Sequence, residues 1–185
     1  MQSKAELWKA IPGWEGYYEA STLGHIRSVD HAIVDTLGRL QHCTGKHLRS
    51  HLRRGRRAIK LCAKNQLFQY SISRLMAATF LPNPLQRPIV DHIDRNPLND
   101  KLSNLRWASH SQSQQNRSPK KGKFKGVYHS HSKKHPWWAR IQVGRRPIHL
   151  GHFSTAEDAA TAYNHAAIKY HGEFACLNSL PKANT

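Results

Sequence analysis

Acidic residues are scarce in this chain. Its 185 residues hold 11 Asp and Glu against 29 Lys and Arg, a formal charge of +18. That imbalance argues against a basic partner and for a polyanion, because Lys and Arg displace the counterions condensed on phosphates. Long apolar runs are also missing. The longest covers residues 75–81, far short of the roughly 20 residues of a membrane span, and the N-terminus shows no signal-peptide apolar core. The expectation is a soluble, intracellular protein with no membrane partner. Cysteine is sparse, and Cys43, Cys62 and Cys176 are odd in number and widely spaced. This excludes a disulfide framework and the paired spacings of a zinc site, leaving reduced thiols. The hydrophobic content of 38% suits small cores, and the length suits one medium domain or two to three small ones.

The positive charge is concentrated. Residues 45–75 and 118–152 each carry nine basic and no acidic residues. The segments outside these blocks are close to neutral. Two basic surfaces flanking a central unit is one reading, and two solvated faces is the other. In the first block, Arg53, Arg54, Arg56 and Arg57 form a basic turn leading into a strand that holds Lys60. Ser71 then caps a short helix with Ile72, Leu75, Met76, Thr79 and Phe80 on one face, ended by Pro82.

Between the blocks, residues 90–107 read Val-Asp-His-Ile-Asp-Arg-Asn-Pro-Leu-Asn-Asp-Lys-Leu-Ser-Asn-Leu-Arg-Trp. An Asp-His pair closes an apolar run, and Asn104-Leu105 follows a polar, Asn-rich loop. Histidine suits a general base, since its unperturbed pKa is about 6.5. Carboxylate and amide oxygens suit hard divalent cations. Neighbouring strand residues point to opposite sides, so Asp91 and His92 face one phosphate together only where the strand gives way to the loop. Asp94, Asn96 and Asn99 are expected to satisfy turn backbone groups, and Leu98, Leu105 and Trp107 to be core.

This stretch resembles the core of the HNH nucleases, the ββα-metal fold. The resemblance implies phosphodiester hydrolysis with His92 as general base, Asp91 as metal ligand and Asn104 as the central Asn that holds the loop and helps orient the histidine. It also implies one Mg²⁺ or Mn²⁺ per active site. One position departs from the family pattern. The following helix usually supplies a second ligand, His or Asn, where this chain has Ser113, a shorter and weaker ligand. His110 and Asn116 lie one turn either side, about 4.5 Å along a helix axis, and are possible substitutes if the register shifts.

Residues 8–29 combine aromatics and glycine turns with a final alternation at Ile26 and Ser28, which suggests short strands. Trp8, Ile11, Pro12, Gly13, Gly16, Tyr18, Ser21, Gly24 and Arg27 resemble the N-terminal module that accompanies phage HNH homing endonucleases. Most of these residues are expected to build a small sheet with buried aromatics. After a polar segment at 108–117 and a basic linker at 118–123, residues 124–178 read as three strands and a helix. Ser154 with Glu157 makes a capping box, an alanine stripe from Ala156 to Ala167 follows the helical repeat, and Gly172 is a C-cap.

That pattern resembles the plant ethylene-response-factor DNA-binding domain. Lys125-Gly126-Val127, Trp137, Ala139, Ile141, Leu150-Gly151, Phe153, Thr155-Ala156-Glu157, Ala159-Ala160, Ala162-Tyr163, Ala166-Ala167, Gly172 and Leu177-Asn178 carry the likeness. It implies a sheet face in the DNA major groove with Tyr128, Trp137, Arg140, Gln142, Arg146 and His149 on or near it. His129, His131 and His135 read as a solvated turn.

The chain is therefore expected to be α+β. A β-rich module at 1–44 and a basic strand region at 45–75 precede an HNH core at 76–117, and the linker leads to a three-stranded antiparallel sheet on one helix at 124–178, with a tail at 179–185. The expected function is a metal-dependent endonuclease on double-stranded DNA, with no obligatory protein partner. The rival is a DNA-binding regulator that has lost catalysis, favoured by Ser113. A basic RNA-binding or ribosome-binding protein fits the charge but not the motif.

Overall fold

The computed structural model describes residues 5–34, 37–63 and 66–181. They form an α+β chain of small antiparallel sheets and three helices. It divides into two compact units, one ending at Ala108 and the other beginning at Ser109. The stretches expected as separate segments at 1–44, 45–75 and 76–117 share one core up to Ala108, so the first boundary falls at 108/109.

In the first unit, β1 (Trp8–Ala10), β2 (Tyr18–Ser21) and β3 (Ile26–Ser28) make an antiparallel sheet in that order. A ribbon of β4 (His31–Val34) and β5 (Leu40–Cys43) follows. A third sheet contains β6 (His51–Arg53), β7 (Arg56–Ala63) and β8 (Gln66–Ser71). The β6–β7 turn is Arg54-Gly55, both with positive φ (49° and 73°), the backbone a two-residue hairpin of matching twist requires.

Helix α1 (Ile72–Phe80) buries Ile72, Leu75, Met76 and Thr79 as its spacing predicts and passes into extended backbone at Leu81, before Pro82. Ser71 holds the N-cap position, but its hydroxyl meets Ser73 Oγ at 2.7 Å and makes no cap bond. One core joins these elements: Ile11 and Trp14 from the β1–β2 connection, Ile26 from β3, Ile59 and Leu61 from β7, the face of α1, and Val90 and Leu105 beyond it. Tyr18 ties the first sheet to β7, its hydroxyl donating to Cys62 O and accepting from Cys62 N.

The second unit begins with α2 (His110–Gln115), whose capping box is Ser109 with Gln112. A sheet of β11 (Val127–His129), β12 (Trp137–Val143) and β13 (Arg146–Phe153) packs on α3 (Ala156–His171). The cap of α3 lies one residue beyond the expected Ser154. Thr155 is the N-cap and its hydroxyl accepts from Asp158 N. Both Ser154 and Thr155 have an acid three residues on, so local sequence does not separate them. Ala159, Ala160, Ala166 and Ala167 of the alanine stripe are buried, Ala166 and Ala167 in one cluster with Ile141 and Tyr163, and burial pushes the Tyr163 phenol pKa up.

Asn178 closes this unit. Its Oδ1 accepts from Lys125 N (2.6 Å), its Nδ2 donates to Lys125 O (3.1 Å), and Asn164 on α3 bonds its backbone on both sides. Removing the amide orphans the partly buried backbone N–H and C=O of Lys125. Asn178→Ala is expected to cost roughly 1–3 kcal/mol, read as a lower urea midpoint for the second unit.

Candidate active site

Two further strands bring the Asp-His segment into position. β9 (Ile89–His92) pairs antiparallel with β10 (Leu105–Ala108), so that His92 lies opposite Leu105 and Asp91 opposite Arg106. Both Asp91 and His92 therefore belong to the strand, with His92 as its last residue. The pleat separates them. The Asp91 carboxylate meets its cross-strand neighbour, with Arg106 Nε and Nη2 at 3.1 and 3.0 Å from Oδ2. His92 meets Asp100, with Nε2 3.0 Å from Oδ1. The two carboxylates and the imidazole are buried: Asp91 is 8% exposed, His92 5% and Asp100 2%.

The loop between the strands is built on Asn104, also buried. Its Oδ1 accepts from Asp94 N (2.9 Å), and its Nδ2 donates to Asp94 Oδ1 and to Asn99 O, both at 2.8 Å. Asp94 in turn accepts from Asn96 N and Asn99 Nδ2, and Asn96 Oδ1 accepts from Leu98 N. These are the turn-satisfying roles that short polar side chains supply. Burial opposes ionisation of Asp94, but the bonds from Asn99, the Asn96 backbone and Asn104 outweigh it and hold the carboxyl below its usual range. Leu98 does not join the core. It is 45% exposed at the loop tip, and Leu102 packs on the core instead. Leu105 is buried and Trp107 half-buried, its Nε1 bonded to Leu81 O.

The N-terminal sheet braces this loop. Leu102 N donates to Thr22 O at 3.0 Å. Gly24, at φ +84°, sits so close that a Cβ there would lie 2.8 Å from Asp100 O. Arg57 also turns toward the loop, with Nη1 3.9 Å from Asp100 Oδ2 and Nε bonded to Ser50 Oγ. It is only partly accessible, unlike Arg53, Arg54, Arg56 and Lys60, which remain exposed on the hairpin and β7. Sequence reading missed Asp100 and Arg106. The one available signal was an acid at 100 within a run of amides.

Asp91 offers one hard carboxylate, a donor that suits Mg²⁺ or Mn²⁺, which are held by one or two carboxylates and substrate phosphates. Its Oδ2 is engaged by Arg106, and among the described residues no cluster of three His, Cys, Asp or Glu side chains could hold a metal. A carboxylate fits the ion in kind, and Asp91 is the residue of this unit that could hold it. Ser113 lies in α2, in the second unit, with His110 at the start of that helix and Asn116 as its buried C-cap.

The second unit presents a separate aromatic and basic face. Alternation along β12 puts Trp138, Arg140 and Gln142 on the side away from α3, and Ala139 and Ile141 beneath it. Tyr128 stacks on Trp138 (4.5 Å, 24°), Trp138 on His149 (5.7 Å, 11°), and the Arg140 guanidinium lies 4.9 Å over Tyr128. Two expected residues stand elsewhere. Trp137 shares the side of Ala139 and lines a groove with Ala156 at the start of α3, and Arg146 pairs with Val143 at the hairpin end, on the helix side. Trp138 takes the place expected for Trp137.

Residues 81–115 match the family model described as HNH endonuclease, and residues 6–62 match the NUMOD4 motif. An uncharacterized HNH endonuclease of Acanthamoeba polyphaga mimivirus is 31% identical over 103 residues, 56% of this chain and 27% of its own length. DNA endonuclease I-HmuI of Bacillus phage SP01 is 29% identical over 103 residues, 55% of this chain and 52% of its own length. A solved structure titled for DNA binding and cleavage by the HNH homing endonuclease I-HmuI gives a TM-score of 0.46 at 28% identity, covering 57% of this chain and 53% of that one. The chain thus spans about a quarter to a half of the relatives it matches. It carries an HNH endonuclease motif together with a NUMOD4 motif.

Proposed function

From the HNH endonuclease motif we infer that this chain is an endonuclease that hydrolyses phosphodiester bonds in double-stranded DNA. The observation that carries the reading is a buried histidine, His92, at the end of a two-stranded ladder. It is set against an Asn104-centred loop inside the segment 81–115. His92 takes the proton of the attacking water. Asn104 fixes the loop that shapes the site. Asp91 would hold a divalent cation, Mg²⁺ or Mn²⁺. The ion, when bound, offsets charge on the scissile phosphate and the leaving oxygen.

DNA is held by two surfaces. The exposed Arg53, Arg54, Arg56 and Lys60 meet phosphates. The sheet of the second unit enters the major groove with Tyr128, Trp138, Arg140, Gln142 and His149. Weak contacts joined on one chain add up. With about 6–10 phosphate contacts, affinity should fall by roughly 10³–10⁵-fold between about 50 and about 200 mM salt. A fluorescence-anisotropy titration checks this, and a salt-insensitive affinity contradicts the two-surface reading.

A second reading is favoured by the engagement of Asp91 by Arg106 and by serine at 113: a DNA-binding regulator derived from such a nuclease. Cleavage of supercoiled plasmid and phage genomic DNA with Mg²⁺, Mn²⁺ or EDTA separates the two. Cutting that needs metal supports the nuclease. A protein that binds DNA but stays silent, and cuts as Ser113→Asn, is a disabled nuclease. If neither form cuts, the catalytic reading falls.

A further inference from the structure

Asp100 is the most deeply buried carboxylate around His92, and its burial has no evident purpose in holding the loop. Asn104 already does that, through Asp94 and Asn99. A carboxylate taken out of water is costly unless paired. The pairing here is directed: Oδ1 meets His92 Nε2 at 3.0 Å. Oδ2 is buried without a hydrogen-bond partner, and the nearest cation is the Arg57 guanidinium at 3.9 Å.

The position is held from three sides. Gly24 packs on the Asp100 backbone, Thr22 O binds Leu102 N, and Arg57 approaches from β7. Asp100 therefore keeps its place relative to His92 through contacts with segments far away in sequence.

We propose that Asp100 is the positioning residue of the general base: it fixes His92 as the Nε2–H tautomer, which makes Nδ1 the atom that accepts the proton of water. An ionised carboxylate is acceptor-only, so the imidazole nitrogen facing it must be the donor. The other nitrogen then carries the lone pair. With Oδ2 turned toward the Arg57 guanidinium at 3.9 Å, Oδ1 is the oxygen that faces the ring. The role of Nδ1 rests on the nuclease reading; the tautomer does not.

The test uses the full chain without metal, labelled with ¹⁵N-histidine, at a pH where the ring is neutral. Long-range ¹H–¹⁵N correlation reads the tautomer, and single-turnover cleavage with Mn²⁺ reads the chemistry. The native protein is expected to show His92 as Nε2–H. Asp100→Ala should lose that preference and cut about 10–100-fold more slowly. Asp100→Asn, close to the native shape and still offering an oxygen, should recover part of both. A native His92 protonated on Nδ1 overturns the proposal without any variant, so a variant that fails to fold does not protect it. An Asp100→Asn protein that cuts at the native rate also overturns it. If no form cuts DNA but the native tautomer is Nε2–H and changes in Asp100→Ala, the nuclease reading fails and the pairing stands.

Discussion

His92→Ala is expected to slow metal-dependent DNA cleavage by about 10²–10⁴-fold, the range that a positioned general base contributes. The substitution also leaves Asp100 Oδ1 without its partner, at a stability cost of roughly 1–3 kcal/mol. Loss of activity must therefore be separated from loss of fold. DNA binding supplies the separation, because the exposed arginines of the β6–β7 hairpin and the sheet face of the second unit do not depend on the ring. A variant that binds duplex DNA with near-native affinity and cuts far more slowly supports the assignment. Native-rate cutting would remove His92 from the mechanism.

Gly24→Ala should produce a large stability loss in the first unit. Two effects coincide there. The residue has φ +84°, a conformation that costs an L-residue roughly 1–2 kcal/mol. The new Cβ would also lie 2.8 Å from Asp100 O and 3.0 Å from its carbonyl carbon, backbone atoms that cannot rotate away. Overpacking of this kind costs about 1–3 kcal/mol, so the expected total is roughly 2–5 kcal/mol. Gly13→Ala is the matched control. Its φ is +79° and nothing lies within 4 Å of the added carbon, so only the conformational cost of roughly 1–2 kcal/mol applies. Urea titrations followed by tryptophan fluorescence compare the two. Equal losses would mean that the close approach of residues 24 and 100 contributes nothing. Because the clash falls on Asp100, Gly24→Ala should also lower cleavage more than its loss of folded protein explains.

Local pattern was enough for much of this molecule. The hairpin turn at Arg54-Gly55, the buried face of α1 and the alanine stripe of α3 follow from periodicity and backbone preference. The turn roles of Asp94, Asn96 and Asn99 follow from short polar side chains in a loop. Ala139 and Ile141 mark the buried side of β12, and counting by two from them places Trp138, not Trp137, beside Arg140. The contacts that complete the site lie beyond local pattern. Nothing periodic links residue 24 to residue 100, or Arg57 to either. Asp100 meets His92 in a loop whose backbone packs on a distant turn at Gly24. The core shared by residues 11–105 also overrides the changes in charge that suggested separate segments.

The Asn178 clamp brings two distant points of the chain together. It hydrogen-bonds Lys125 across 53 residues, so the sheet-and-helix body is entered and left at one point. A segment whose two ends meet can be spliced after an unrelated protein, or removed from it, without stretching either fold. In the second unit, a chain joined where residues 125 and 178 meet would not have to stretch the sheet-and-helix body between them.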